Sequence, residues 1–144
     1  MKPVLAACIL ALLSLPALGE VSISKPWAKG TLASATSSAV YLELQSTEAG
    51  AIVAASSPRA QSVEMFDMRF ELDGGPLKPV KLDEIPFEAR RKLQLSPVTM
   101  HFVLRGLQGQ IRAGERVPLV LRLRMAGGDV REVRVEAVGR GLMP

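Results

Sequence analysis

Apolar and polar residues alternate along most of this chain, and clusters of Gly, Pro and Ser interrupt the alternation about every ten residues. In an extended strand successive side chains point to opposite faces, so a period of two describes sheets with one face buried and one face wet. The three- and four-residue spacing of an amphipathic helix is scarce, which leaves no crossover helices to cover a parallel sheet. The pattern therefore predicts an all-β chain of about eight short strands, packed as an antiparallel Greek-key β-sandwich.

Individual strands are expected at 21–27, 38–44, 51–56, 62–70, 77–82, 92–95, 99–104, 117–125 and 130–138. In the second of these Val40, Leu42 and Leu44 take the core face, and Tyr41 and Glu43 point the other way. Pro79 cannot donate a ladder hydrogen bond and marks 77–82 as an edge. Gly127-Gly128-Asp129 joins the last two strands as a hairpin, and Glu88-Ala89-Arg90-Arg91 is expected to close the loop after Pro86 with one helical turn.

The N-terminus is different in kind. Lys2 supplies a positive start, 4–15 is an apolar run, and Ala17-Leu18-Gly19 offers small residues before a cut, so residues 1–19 read as a secretory signal peptide and 20–144 as one exported domain. The run is too short to span a bilayer, and no membrane span is expected. Leu5-Ala6-Ala7-Cys8 resembles a lipoprotein cleavage box, but the apolar run continues past Cys8 and little of it lies before, so cleavage near Gly19 is the expectation. Cys8 is the only cysteine, which leaves the exported domain without disulfide or thiolate ligand.

The net charge of +4 is modest, and Arg122, Arg124, Arg131 and Arg134 alternate with apolar residues as on solvated sheet faces. With one Trp and one Tyr there is little to stack on bases, and nucleic acid is not an expected partner.

Short motifs follow one another in a suggestive order: Pro26-Trp27-Ala28-Lys29, Ala39-Val40-Tyr41-Leu42, Ala54-Ala55-Ser56-Ser57-Pro58 with Ser62-Val63-Glu64, Leu77-Lys78-Pro79-Val80, Leu95-Ser96-Pro97 before His101, and Arg112-Ala113-Gly114-Glu115-Arg116-Val117-Pro118-Leu119. Over roughly 21–138 this order resembles the periplasmic copper chaperones of the PCu(A)C family. The resemblance implies a cupredoxin-like sandwich, a periplasmic location and a monovalent copper ion held by two His and two Met, soft and borderline donors that need no thiolate. Carried over residue by residue, the family's ligand positions fall on Phe66, Leu77, His101 and Val103, and only His101 is a donor.

Other thioethers flank the vacated positions. Side chains two apart share a strand face, so Met68 lies with Phe66 while Met65 points away, and Met100 goes with Phe102 and Leu104 toward the core, opposite His101 and Val103. The expected metal ligands are therefore His101 and Met68, completed by Met143 or by a partner's residue; the competing expectation has Met65 and Met100 filling gaps in the core and His101 simply hydrogen-bonded. A carboxylate–histidine site at Asp67 and His101, with Glu64 and Glu71 nearby, suits other metals better. Trp27 is expected as a core or rim anchor, and Lys29, Arg90 and Arg91 as a possible docking patch.

Two functions stay open. One is a copper-handling protein that passes copper by ligand exchange to a cuproprotein such as the dinuclear centre of cytochrome oxidase, as the resemblance implies. The other is a metal-free binding or scaffold module whose pocket holds Phe66, Leu77 and Val103. An enzyme is not expected, because one histidine and no thiol in the exported domain leave no nucleophile and base to pair. Oligomeric state is not legible from one sequence.

Overall fold

The computed structural model describes residues 19–142. The signal-peptide expectation, with Cys8, lies outside the described residues, as does Met143. Ten strands follow in order: β1 (Val21–Lys29), β2 (Ser37–Ser46), β3 (Gly50–Ser56), β4 (Ala60–Phe70), β5 (Leu77–Leu82), β6 (Ile85–Phe87), β7 (Leu93–Gln94), β8 (His101–Leu107), β9 (Arg116–Met125) and β10 (Val130–Arg140). The all-β expectation holds. The added strand is β6, whose three residues are too few for any periodicity to register.

Hydrogen bonding runs through one open sheet in the order β5-β4-β8-β2-β1-β10-β9-β3-β6, with β7 pairing β2 off that path. The sheet folds over on itself about a common core. Val40, Leu42, Met65, Phe102 and Leu104 come from one arm and Ile52, Ile85, Leu119, Leu121 and Leu123 from the other, and all are buried in one cluster. Sequence neighbours β2 and β3, β3 and β4, and β8 and β9 lie in opposite arms, so the connections cross in the manner of a Greek key. Pairing is antiparallel except between β1 and β10, which run parallel at the centre with Trp27 beside Val138 and Lys29 beside Arg140. β5, with Pro79, is an edge as expected.

Two local departures from the expected pattern stand out, and the first bears on the site. Ser24 pairs with Glu43 and Trp27 with Tyr41, so Lys25 and Pro26 together face Leu42 alone in a β-bulge. Lys25 takes a left-handed φ of 50° there, and Pro26 has no N–H for the ladder to lose. The extra residue shifts the phase of β1: Val21 and Ile23 pack against the core, whereas Trp27, an odd-numbered residue like them, comes out on the opposite face and Ala28 goes in. The expected helical turn at 88–91 is instead a hydrogen-bonded turn from Glu88 to Arg91, because Arg90 at φ 61° cannot continue a right-handed helix.

Candidate metal-binding face

Registers fix which side chains share the outer face of the first arm. On β8 the buried Phe102 and Leu104 face the core, so His101, Val103 and Arg105 face out. Across the β4–β8 pair Phe66 stands opposite His101 and Glu64 opposite Val103, while Met65 stands opposite Phe102. On β2 Val40, Leu42 and Leu44 face the core, so Ala39, Tyr41 and Glu43 between and beside them face out, and Tyr41 pairs with Trp27 of β1. One rung of the sheet therefore carries Trp27, Tyr41, His101 and Phe66 side by side.

The rings meet along this rung. Ring centroids are 4.4 Å apart for Trp27 and Tyr41, 5.8 Å for Tyr41 and His101, and 6.4 Å for His101 and Phe66, the last pair near parallel at 24°. These are the spacings of favourable aromatic pairs, worth about 0.5–1.5 kcal/mol each beyond the area they bury. An arginine caps each end: the Arg140 guanidinium lies 4.1 Å from the Trp27 centroid and that of Arg105 5.7 Å from Phe66. The outward face is consequently not wet at its centre. Tyr41 is 6% and His101 8% exposed, and burial raises the Tyr41 phenol above its ordinary pKa.

His101 is held by the turn before it. The Ser96 amide donates to Thr99 Oγ1 at 3.0 Å and the Thr99 amide to the Ser96 carbonyl at 3.2 Å, which leaves the Thr99 carbonyl 3.0 Å from His101 Nδ1. A carbonyl only accepts, so Nδ1 is the donor of this contact, which leaves Nε2 as the ring nitrogen able to offer a lone pair to a metal. A backbone carbonyl on one imidazole nitrogen is the arrangement that orients a metal-binding histidine.

The other predicted residues separate cleanly. Met65 is buried in the core and Met100 packs against it, so neither reaches the outer face. Met68 is half-buried on the same face as Phe66, one rung along, which makes it a diagonal neighbour of His101 at the spacing long side chains can bridge. Val103 is half-buried beside His101 on its own strand. Leu77 is not part of the group: it pairs with Phe70, on the order of 13 Å along β4 from Phe66. Asp67 lies on the alternate face and binds Arg69 at 2.9 Å, away from His101. Glu71 pairs with Lys78 beyond the rung, and Glu64 pairs with Arg105 at 3.4 Å and Lys81 at 3.8 Å. Among the described residues no three His, Cys, Asp or Glu side chains gather to hold a metal ion. The soft and borderline donors on this face are one oriented imidazole and one thioether, and the Glu64 carboxylate on the same face is engaged by Arg105 and Lys81.

Lys29, Arg90 and Arg91 do not form the expected patch. The Arg90 amide binds the Ser46 carbonyl beside Val21, and Lys29 lies at the far end of β1, on the order of 25 Å away. Tyr41 and Trp27 were missed as neighbours of His101. Only the Lys25-Pro26 bulge could have signalled that Trp27 changes face.

Residues 21–136 match the family described as "Putative lipoprotein LpqE-like". The chain belongs to the LpqE-like family. No curated protein matches the sequence significantly. Among solved structures, the copper-bound PCuAC domain from PmoF2 superposes with a TM-score of 0.67 at 17% identity, over 88% of this chain and 97% of that domain. Apo-DR1885 from Deinococcus radiodurans gives 0.60 at 23%, over 99% and 98% of the two chains, and its Cu(I) form 0.52 at 23%, over 94% and 85%. This LpqE-like chain thus has the PCuAC-domain fold, and the cupredoxin-like sandwich expected from its motifs is the fold observed.

Proposed function

We propose that this LpqE-like protein is an exported copper-handling protein of the periplasm that binds monovalent copper at His101 and Met68 and releases it by ligand exchange to a cuproprotein such as the dinuclear centre of cytochrome oxidase. The observation that carries the reading is the His101 imidazole, hydrogen-bonded at Nδ1 to the Thr99 carbonyl and so left with a directed Nε2 donor on the face it shares with Met68. Thioether and imidazole suit Cu(I) and persist in an oxidising compartment where free thiols do not. That structures of the same fold carry copper supports the choice of metal. Two donors hold the ion less tightly than four, which favours handover over storage.

Delivery needs no bond-making catalysis by the protein, and a non-enzymatic role follows. The family description also gives weight to the Leu5-Ala6-Ala7-Cys8 box: lipidation there would tether the domain, whereas cleavage near Gly19 would free it. Intact mass of the exported protein separates the two. Among the described residues no helix is long and apolar enough to cross a membrane.

The test is titration of the exported domain with Cu(I) against a competing chelator, repeated with His101→Ala and Met68→Ala. The wild type is expected to compete and His101→Ala to lose competition altogether, with Met68→Ala weakened tenfold or more. One observation favours a second reading, a metal-free binding module: Phe66 and Val103, two of the four inherited positions, fill the outer face with apolar surface. Failure of all three proteins to compete for Cu(I) would select that module.

A further inference from the structure

A cavity of about 560 Å³ opens at the Trp27 end of the aromatic rung, in the size range of small-molecule sites. Its apolar walls are Trp27, Tyr41, Pro97 and Leu142, and its charged lining is Lys29 and Arg140. Among the described residues no carboxylate lines it. Neither Lys29 nor Arg140 forms an ion pair among the described residues, although twelve other contacts between charged side chains are formed there. Both belong to the β1–β10 parallel pair, where they are register partners, and both line the cavity.

The backbone makes room for this. Gly30 also lines the cavity, and a Cβ there would run into the Arg140 carbonyl, so β1 and β10 approach as closely as they do only because residue 30 has no side chain. The Arg140 guanidinium is laid on the Trp27 face at 4.1 Å, which positions the charge over the apolar wall with its N–H edge free to donate. An aromatic and aliphatic wall beside two cations that form no ion pair among the described residues is complementary to a molecule with an apolar stem and one anionic end.

We infer that this cavity is a binding site for a small apolar carboxylate, its stem against Trp27, Tyr41, Pro97 and Leu142 and its carboxylate between Lys29 and Arg140. The site is separate from the His101–Met68 donor pair, and it stands whether or not copper is bound there. Tyr41 touches both, since its ring is 5.8 Å from that of His101.

Trp27 is the only tryptophan, so its fluorescence reports the cavity in the intact protein. Titration with octanoate is expected to give a saturable change in Trp27 emission, at a midpoint at least tenfold below that of octanol, which has the stem without the charge, and of acetate, which has the charge without the stem. Lys29→Gln and Arg140→Gln should each raise the octanoate midpoint threefold or more and leave that of octanol unmoved. Arg140→Gln also removes the cation from the indole face, so Lys29→Gln, which leaves that contact in place, is the decisive variant. Equal midpoints for octanoate and octanol, an unaltered midpoint in Lys29→Gln, or no saturable change would overturn the inference. None of these outcomes depends on copper, because the titrations are run without metal and repeated in His101→Ala.

Discussion

Strands β9 and β2 are each ten residues long and both lie in the sheet interior, yet they treat their outward faces in opposite ways. On β9 Val117, Leu119, Leu121, Leu123 and Met125 are buried, while Arg116, Arg122 and Arg124 are exposed. Its partner β10 answers with Glu132 opposite Arg122, and Glu136 binds Arg116 at 2.9 Å. On β2 the run from Val40 to Glu43 is buried on both faces, polar Tyr41 and Glu43 included. The outward face of β2 is covered because the bulge in β1 delivers Trp27 onto Tyr41, while Ser24, Lys25 and Lys92 close over Glu43. A covered outer face is where this molecule keeps its histidine and its cavity; a wet one is only solvated.

The contrast can be broken most forcefully at Tyr41. Tyr41→Ala is expected to lower unfolding stability by about 3 kcal/mol, as loss of a buried aromatic does, whereas Arg122→Ala on β9 should stay within about 0.5 kcal/mol. Chemical denaturation of the two variants checks both. Similar losses would mean that the rung is a surface decoration.

Next in size is a gain. Phe66 stands directly opposite His101, so Phe66→His puts a second imidazole on the rung, and Cu(I) affinity should rise tenfold or more, about 1.4 kcal/mol. Competition titration reads this, and an unchanged affinity would show that the rung does not face the ion.

Glu43 sharpens the comparison through pH. Burial pushes its carboxyl upward, but the charges of Lys25 and Lys92, with hydrogen bonds from Lys92 and Ser24, outweigh burial and hold it below the ordinary value of 4.5. A carboxyl depressed by folding adds stability above its unfolded pKa, and that stability is lost as pH falls through the folded one. The melting temperatures of wild type and Glu43→Gln should therefore differ at pH 7 and at pH 5.5, and converge below about pH 4.5. A constant gap down to pH 3 would remove the ion pairs as its cause. The smallest effect belongs to β9 and β10: Arg116→Ala should cost under about 1 kcal/mol and matter less in high salt, because both partners of its ion pair are exposed.

The strands with one wet face were legible in advance. β9 and β10 were read nearly to their ends, and the burial of Val40, Leu42 and Leu44 followed from alternation alone. So did the opposed faces of Met65 and Phe66, and of Phe102 and His101, since neither strand is bulged between those residues. What alternation left open was the face of Trp27, read only as a core or rim anchor, and what the fold overturned was the patch joining Lys29 to Arg90, which needed two ends of one strand to meet. Leu77 was likewise grouped with Phe66 by motif spacing, and the β4–β5 register keeps them apart.

Sequence alone determined the all-β class, the core stripes of β2, β4 and β8 and the poverty of donors around His101, because each of these is a property of neighbours within a strand. Tertiary structure decided which strands adjoin, and hence that Trp27, Tyr41, His101 and Phe66 from four different strands share one rung and that Lys29 and Arg140, from the first and last strands, are register partners. Pairing between strands distant in sequence is set by burying all the apolar stripes in one core at once, a condition on the whole chain that no local pattern contains.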